Sequence, residues 1–312
     1  MTAAAAQKGH AVPFCARGRN AFRHRMLQRH LRGGTDNHPL IDMIGAALLE
    51  HIALVRHPFK RVLVLGWPGE TFLRALDAQL QPEQFVVADV ALDLETSAHR
   101  RSPSRHHPQS FRHVEGFAAC LTSDLEQLPF APNSFDVVVN MLTLHLTNDV
   151  PGVLRQLNVM LRPDGLLVAA CFGGESLQGL RQEWIHQESE LFQGVVSRFP
   201  PLILPQQGAM LMQRAGFKVS LSQVDRVPLN YDNVASLLSD IHHYGQWAPL
   251  KERAAGMGTP QKIKKIMSKM TRKLENTVEV IYLSGRAPAP EQQKPQLPGR
   301  GVLPLGTALE AL

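Results

Sequence analysis

The sequence is short of cysteine and empty of long apolar runs, and its first stretch has no acid. Cys15, Cys120 and Cys171 are the only cysteines in 312 residues, and they stand far apart. An odd, scattered set builds no disulfide framework, so the chain reads as one made for a reducing compartment, the cytoplasm by preference. No apolar run approaches the ~20 residues that a membrane-spanning helix needs, and no apolar core of a signal peptide follows Met1. Acid is missing from Met1 through Thr35, which hold Lys8, Arg17, Arg19, Arg23, Arg25, Arg29 and Arg32. Such a start is one mark of a mitochondrial transit peptide, which gives a matrix location as the alternative. Transit peptides are rich in serine, however, and this stretch has none. A basic helix over 21–31, lying on the domain or on an acidic partner, is the preferred reading. Internal repeats are absent as well.

What is present reads as a globular chain. Hydrophobic residues make up 44% and charged residues 19%, with a net charge of +6. That is enough apolar material for one domain with insertions or for two small domains. The pattern divides into a basic helical segment over 1–55, a main domain over 56–286 and a Pro/Gln-rich tail over 287–312. Within the main domain, Arg61–Leu65 is a short β-branched and apolar run. Gly66-Trp67-Pro68-Gly69 follows, and then a helical pattern on Phe72, Leu73, Leu76 and Leu80. Strand, glycine turn and helix open a βαβ unit. Further strands are expected at Phe85–Ala88 (ending at Asp89), Phe117–Leu121, Phe135–Asn140, Leu166–Cys171, Phe217–Val224 and Val278–Leu283. Helices are expected over 148–161, after Gly174, and in an insert spanning about 231–275. Continuous rather than alternating apolar runs suit a parallel sheet covered on both faces.

Several segments carry more than periodicity. Asp124-Leu125-Glu126-Gln127-Leu128-Pro129-Phe130 leads into Asn133-Ser134-Phe135-Asp136-Val137-Val138-Val139, and Leu157–Gly165 closes with Arg162-Pro163-Asp164-Gly165. Together they resemble the "DAExLPFxxxSFDxVV" and "RVLKPGG" segments of the type 11 family of class I, S-adenosylmethionine-dependent methyltransferases. Leu142–Asp149 is similar to the "LSLHWVND" stretch of one subgroup, and Phe172–Leu177 with Leu180-Arg181 to its "FGGDTLxELR". Ile281–Gly285, Ala287-Pro288 and Gln292–Pro295 resemble a C-terminal "YLTGWAP…QQKP". That subgroup includes mitochondrial complex I assembly proteins, and it is related to the malonyl-carrier-protein methyltransferases of biotin synthesis. The resemblance covers roughly 61–295. It implies an α/β, Rossmann-like class I methyltransferase fold with a mostly parallel seven-stranded sheet, helices on both faces and a helical insert before the last strand. It also implies S-adenosylmethionine as cofactor, with a small-molecule or protein acceptor, or a respiratory-complex subunit, as partner.

The resemblance assigns roles residue by residue. Gly66 and Gly69 belong to the loop that approaches the cofactor. Asp89, at the end of the second strand, is placed to accept the ribose hydroxyls, as acids do in nucleotide-binding βαβ units. Asp124 would accept the adenine amino group, with the Leu125 N–H on the ring. Asn140 ends the fourth strand beside the cofactor's middle. His145 is the candidate base or acceptor-facing residue. Each has a plain structural alternative: a strand-end acid, a turn aspartate, a turn asparagine, a packed histidine. Trp184, Tyr231, Tyr244 and Trp247 could line an acceptor pocket, although aromatics on helices are more often core.

The glycine loop departs from the family. Val64 stands at the acid position, Pro68 replaces the middle glycine and Glu70 the last. Proline removes an N–H, and Glu70 adds negative charge where the cofactor carboxylate should sit. Two readings therefore stand together: an active methyltransferase or related modifier, the mitochondrial branch being described as hydroxylating arginine, or an assembly factor that keeps the fold with weakened cofactor binding. The remaining clusters say less. The His-rich loop over 99–115 and His242-His243 lack metal-ligand spacing, so no metal is expected. Lys262, Lys264, Lys265, Lys269 and Arg272 have no interleaved aromatics, which makes nucleic acid a weak partner and a solvated helix face the better reading.

Overall fold

Arg61–Leu65 (β1) is apolar on both sides, and the protein uses both. Val62 and Val64 point into one core, and Leu63 and Leu65 into the other. The computed structural model describes residues 23, 39–89, 117–195, 199, 201–244, 260–270 and 276–290. The His-rich loop, Trp247, the tail beyond 290 and, apart from Arg23, the basic helix expected over 21–31 lie outside these residues.

From β1 the chain turns into α2 (Glu70–Leu80) and β2 (Gln84–Asp89), and later enters β3 (Phe117–Thr122) and β4 (Phe135–Met141). Before β1 runs α1 (Pro39–Ala53). After β4 come α3 (Val150–Met160), β5 (Leu161–Phe172), α4 (Gln178–Phe192), α5 (Pro205–Arg214) and β6 (Lys218–Leu229). Last are α6 (Val234–Tyr244), α7 (Pro260–Lys269) and β7 (Asn276–Arg286). Among the described residues the sheet has seven strands, ordered β3-β2-β1-β4-β5-β7-β6. The pairs from β3 through β5 are parallel, and β7 runs antiparallel to both β5 and β6. Chain order moves outward from β1 through β2 to β3 and then returns to the other side of β1. That reversal opens a crevice at the carboxyl ends of β1 and β4, where doubly wound sheets bind ligands.

The two faces are covered as expected. One core joins α1, α2, α4, α6 and α7 to the sheet around Ile44, Leu73, Trp184 and Ile241. The other joins α3 and α5 around Leu154, Leu157 and Met212. The segment set apart as 1–55 thus contributes α1 to the main core, through Leu40, Ile44, Leu48 and Ile52. Asp136, part of the resemblance motif, is a clamp at the amino edge of the sheet. Its carboxylate accepts the N–H groups of Lys60 (3.0 Å) and Arg61 (2.9 Å) and pairs with Arg162 (3.2 Å). Asp149 caps α3 by accepting the Gly152 N–H at 2.9 Å.

Cys171 lies fully buried on β5, and burial pushes its thiol up from 9.0 to about 12. A thiol held neutral in the fold stabilises fully below its unfolded value, and this contribution is lost as pH rises from about 9 towards 12. Cys171→Ala is therefore expected to flatten the alkaline decline in urea-unfolding stability, while native wild type leaves Cys171 unalkylated by iodoacetamide at about pH 8. Unchanged pH dependence in the variant would contradict this account.

Candidate active site

Four neighbouring strand ends bring the sequence candidates to one edge. Gly66 follows β1, Asp89 ends β2, Asp124 comes after β3 and Asn140 lies near the end of β4. The register sets Leu65 beside Ala88 and Asn140, and Asp89 beside Thr122. At roughly 4.8 Å per strand, the edge from β3 to β4 spans about 14 Å.

Gly66 sits at φ +85°, and its N–H donates to the Ala88 carbonyl at 2.9 Å. A Cβ there would stand 2.5 Å from the Met141 carbonyl oxygen and from Thr143 Cγ2, so the end of β4 requires a glycine beside it. Gly69, at φ +95°, is the residue from which α2 starts. Between them, the Trp67 N–H donates to an Asp89 carboxylate oxygen at 2.8 Å. Asp89 is buried, 1% exposed. The same oxygen pairs with the Arg23 guanidinium, which is 3% exposed. Arg23 is the residue of this edge that sequence reasoning missed. In the acid-free run nothing distinguishes it from the other arginines.

Asp124 is exposed, and one of its carboxylate oxygens accepts the Glu126 N–H at 3.0 Å. Leu125 turns inward and is buried. The loop is tied to α3 and its approach. Gln156 Nε2 donates to the Glu126 carbonyl (2.8 Å), the Leu128 N–H donates to Gln156 Oε1 (3.1 Å), and the Asn148 N–H donates to the Glu126 carboxylate. Asn140 is buried, and its side-chain oxygen accepts the Thr143 hydroxyl at 2.9 Å. Leu142, next along, holds φ +54°, a strained conformation for a bulky residue, and its N–H is fixed on the Ala170 carbonyl at 3.0 Å. His145 lies in the short 3-10 turn Leu144–Leu146. It is 2% exposed, with its ring against Phe172 at 4.9 Å between centroids. The ring is thus packed on the aromatic side chain that ends β5.

The departures in the glycine loop differ in consequence. Val64 is fully buried and packs in the core, between Val87 and Val139 in register. Pro68 is buried within the loop itself. The Glu70 carboxylate is drawn along α2 by Arg74, whose Nε donates to it at 2.8 Å. Trp184, an acceptor-pocket candidate, is buried in the core and 1% exposed, and Tyr231 donates its hydroxyl to Asp240 at 2.6 Å.

Residues 65–169 match the model of the family described as "Methyltransferase domain". Over 257 residues the chain is 31% identical to malonyl-[acyl-carrier protein] O-methyltransferase of Laribacter hongkongensis, covering 80% of this chain and 83% of that protein. The chain belongs to the S-adenosylmethionine-dependent methyltransferase family. This methyltransferase-family chain is also 26% identical over 262 residues to "Arginine-hydroxylase NDUFAF5, mitochondrial" of Danio rerio, covering 82% of this chain and 77% of that protein. Its match to the human protein of the same name is 36% identical over 124 residues, only 36% of that protein's length. Among solved structures it is similar to YcgJ of Bacillus subtilis, with a TM-score of 0.51 and 15% identity over 78% of this chain and 98% of that one. Haemonchus contortus phosphoethanolamine N-methyltransferase 2, solved with S-adenosylhomocysteine, is similar at a TM-score of 0.50 and 15% identity, over 86% of this chain and 60% of that one. At such identities the likeness is one of fold. No helix of the described residues is long and apolar enough to cross a membrane.

Proposed function

We propose that this chain binds S-adenosylmethionine along the carboxyl edge of β1 to β4 and transfers its methyl group to an acceptor presented beside β4 and β5. The observation that carries the reading is the buried Asp89 carboxylate, set against the Trp67 amide of the glycine turn and one strand from Asp124. The residues fit the nucleoside end of that cofactor. Asp89 would hold the ribose, Asp124 and the Leu125 N–H the adenine, and Gly66 lets the loop lie close. When bound, the cofactor supplies an electrophilic methyl group. The protein's part is orientation and exclusion of water, because methyl transfer depends more on alignment than on acid–base work. Asn140 and Thr143 would fix the turn beside the cofactor's middle. In this reading His145 supports that turn by packing on Phe172, and no proton is routed through it.

The amino-acid end fits less well, and this favours a second reading. Pro68 offers no N–H in the loop, so a weakened cofactor site on an assembly factor, akin to the complex I assembly branch and acting on a protein subunit or its arginines, is the alternative. Work in a reducing compartment suits either reading. Calorimetric titration of the full chain with S-adenosylmethionine and S-adenosylhomocysteine separates them. Micromolar binding supports the methyltransferase, and no heat at millimolar ligand supports the assembly factor. Because Glu70 is already neutralised by Arg74, Pro68→Gly is expected to account for most of the gain in affinity in the Pro68→Gly/Glu70→Gly pair, about tenfold, with Glu70→Gly alone changing little. Equal gains from the two single changes would contradict the reading of Glu70.

A further inference from the structure

We propose that Arg23 is an internal occupant of the cofactor site, standing where the ribose would sit and leaving when the cofactor binds. The inference rests on the methyltransferase reading above. Arg23 and Asp89 are both buried, 3% and 1% exposed, and their side chains are ion-paired. The guanidinium also lies over the glycine turn, since a Cβ built on Gly66 would stand 3.3 Å from Arg23 Nη2. One side chain thus covers both features that the nucleoside would use, the glycine that permits close approach and the carboxylate that would accept the hydroxyls. A guanidinium presents N–H donors to the carboxylate as a pair of ribose hydroxyls would, so it satisfies Asp89 while no ligand is bound. A retained Arg23 charge would also oppose the sulfonium of the cofactor.

The arginine is not fully satisfied there. Its Nε is buried and finds no hydrogen-bond partner among the described residues. A buried donor left without an acceptor is a standing cost, and that cost favours exchange of this side chain for a ligand. The consequence is conformational. Apparent affinity is the intrinsic affinity reduced by the fraction of molecules in which Arg23 has moved away.

The test is calorimetry and stopped-flow binding of S-adenosylhomocysteine to the full chain as wild type, Arg23→Gln and Arg23→Lys. Glutamine loses the charge and should tighten binding at least about tenfold and raise the association rate. Lysine keeps one charged donor and should fall between wild type and glutamine. Lysine also serves as the check if the glutamine variant folds poorly. Measurable wild-type binding with unchanged or weaker binding in the folded variants overturns the proposal and leaves the cofactor site standing. A wild type and variants that all stay silent at millimolar ligand, with native circular dichroism, overturn the methyltransferase reading and this proposal with it.

Discussion

Gly66→Ala is expected to cost about 3–5 kcal/mol of stability and to lower the thermal midpoint by on the order of 10 °C. Two independent effects add. The residue holds φ +85°, which side-chain-bearing residues resist. The new methyl carbon would also meet the Met141 carbonyl oxygen and Thr143 Cγ2 at 2.5 Å. The first of those neighbours is backbone at the end of β4, so β1 and β4 would have to part where their register is otherwise continuous. Gly216→Ala is the control. Gly216 holds φ +95°, but its added carbon would rest 3.7 Å from Asn158 Nδ2, an ordinary contact. Only the backbone strain applies there, about 1–2 kcal/mol. Differential scanning calorimetry of the two variants side by side checks the argument. Equal losses would mean that crowding against β4 contributes nothing, and the close approach at the site would lose its significance.

The same comparison shows which features the sequence made legible. The parallel strands β1, β2, β4 and β5 were readable because burial on both faces demands unbroken apolar runs such as Val62–Leu65 and Leu166–Cys171. The two strands that follow β5 were only half readable. β6 continues to Leu229 and β7 begins at Asn276, beyond the expected Val224 and Val278. β6 alternates between half-buried and exposed residues along its length, which hides an edge strand among polar residues. Helix α1 was legible only as part of the helical segment over 1–55, because its sequence, PLIDMIGAALLEHIA, adjoins the basic run; its packing into the main core was not. Helix α5 went unread for lack of apolar bulk. Its face on the core comes down to Gly208 and Met212.

The candidate site divides in the same way. The placement of Gly66, Asp89, Asp124 and Asn140 at neighbouring strand ends was legible, because strand ends are marked by local chemistry and a parallel topology brings them together. The contact between Arg23 and Asp89 was not, since its partners lie 66 positions apart and long-range ion pairs leave no periodic trace. The difference between Pro68 and Glu70 was likewise hidden. Both break the glycine pattern in sequence, but only the structure shows Arg74 drawing the Glu70 carboxylate along α2.

The Phe172–Leu177 motif has a role that its resemblance does not explain, and Glu279 supplies it. This carboxylate on β7 is 1% exposed, and it fills the space where a side chain on Gly173 would go. It accepts the Glu175 N–H at 3.2 Å and pairs with Arg226 at 3.3 Å. The backbone of Glu279 closes the clamp. Its carbonyl accepts the Gly173 N–H (2.8 Å) and the Ser176 hydroxyl (3.1 Å), and its N–H donates to Ser176 Oγ (3.1 Å). The loop after β5 is therefore held from β7, next to the strand end where an acceptor would be presented, and Leu177 can keep φ +56° because its N–H is tied to the Thr277 carbonyl at 2.8 Å. Glu279→Ala should cost about 2–3 kcal/mol, from the lost charge-assisted bond and the cavity beside Gly173. Arg226, 61% exposed, would relax into water, so the larger penalty of a stranded buried charge does not apply. Glu279→Gln retains the shape and an acceptor for the Glu175 N–H, and should cost no more than about 1 kcal/mol. Hydrogen exchange at Gly173, Glu175 and Ser176 distinguishes the two variants, with protection lost in the alanine variant and kept in the glutamine variant. Protection kept in both would show that the backbone bonds hold the loop and that the buried carboxylate is dispensable.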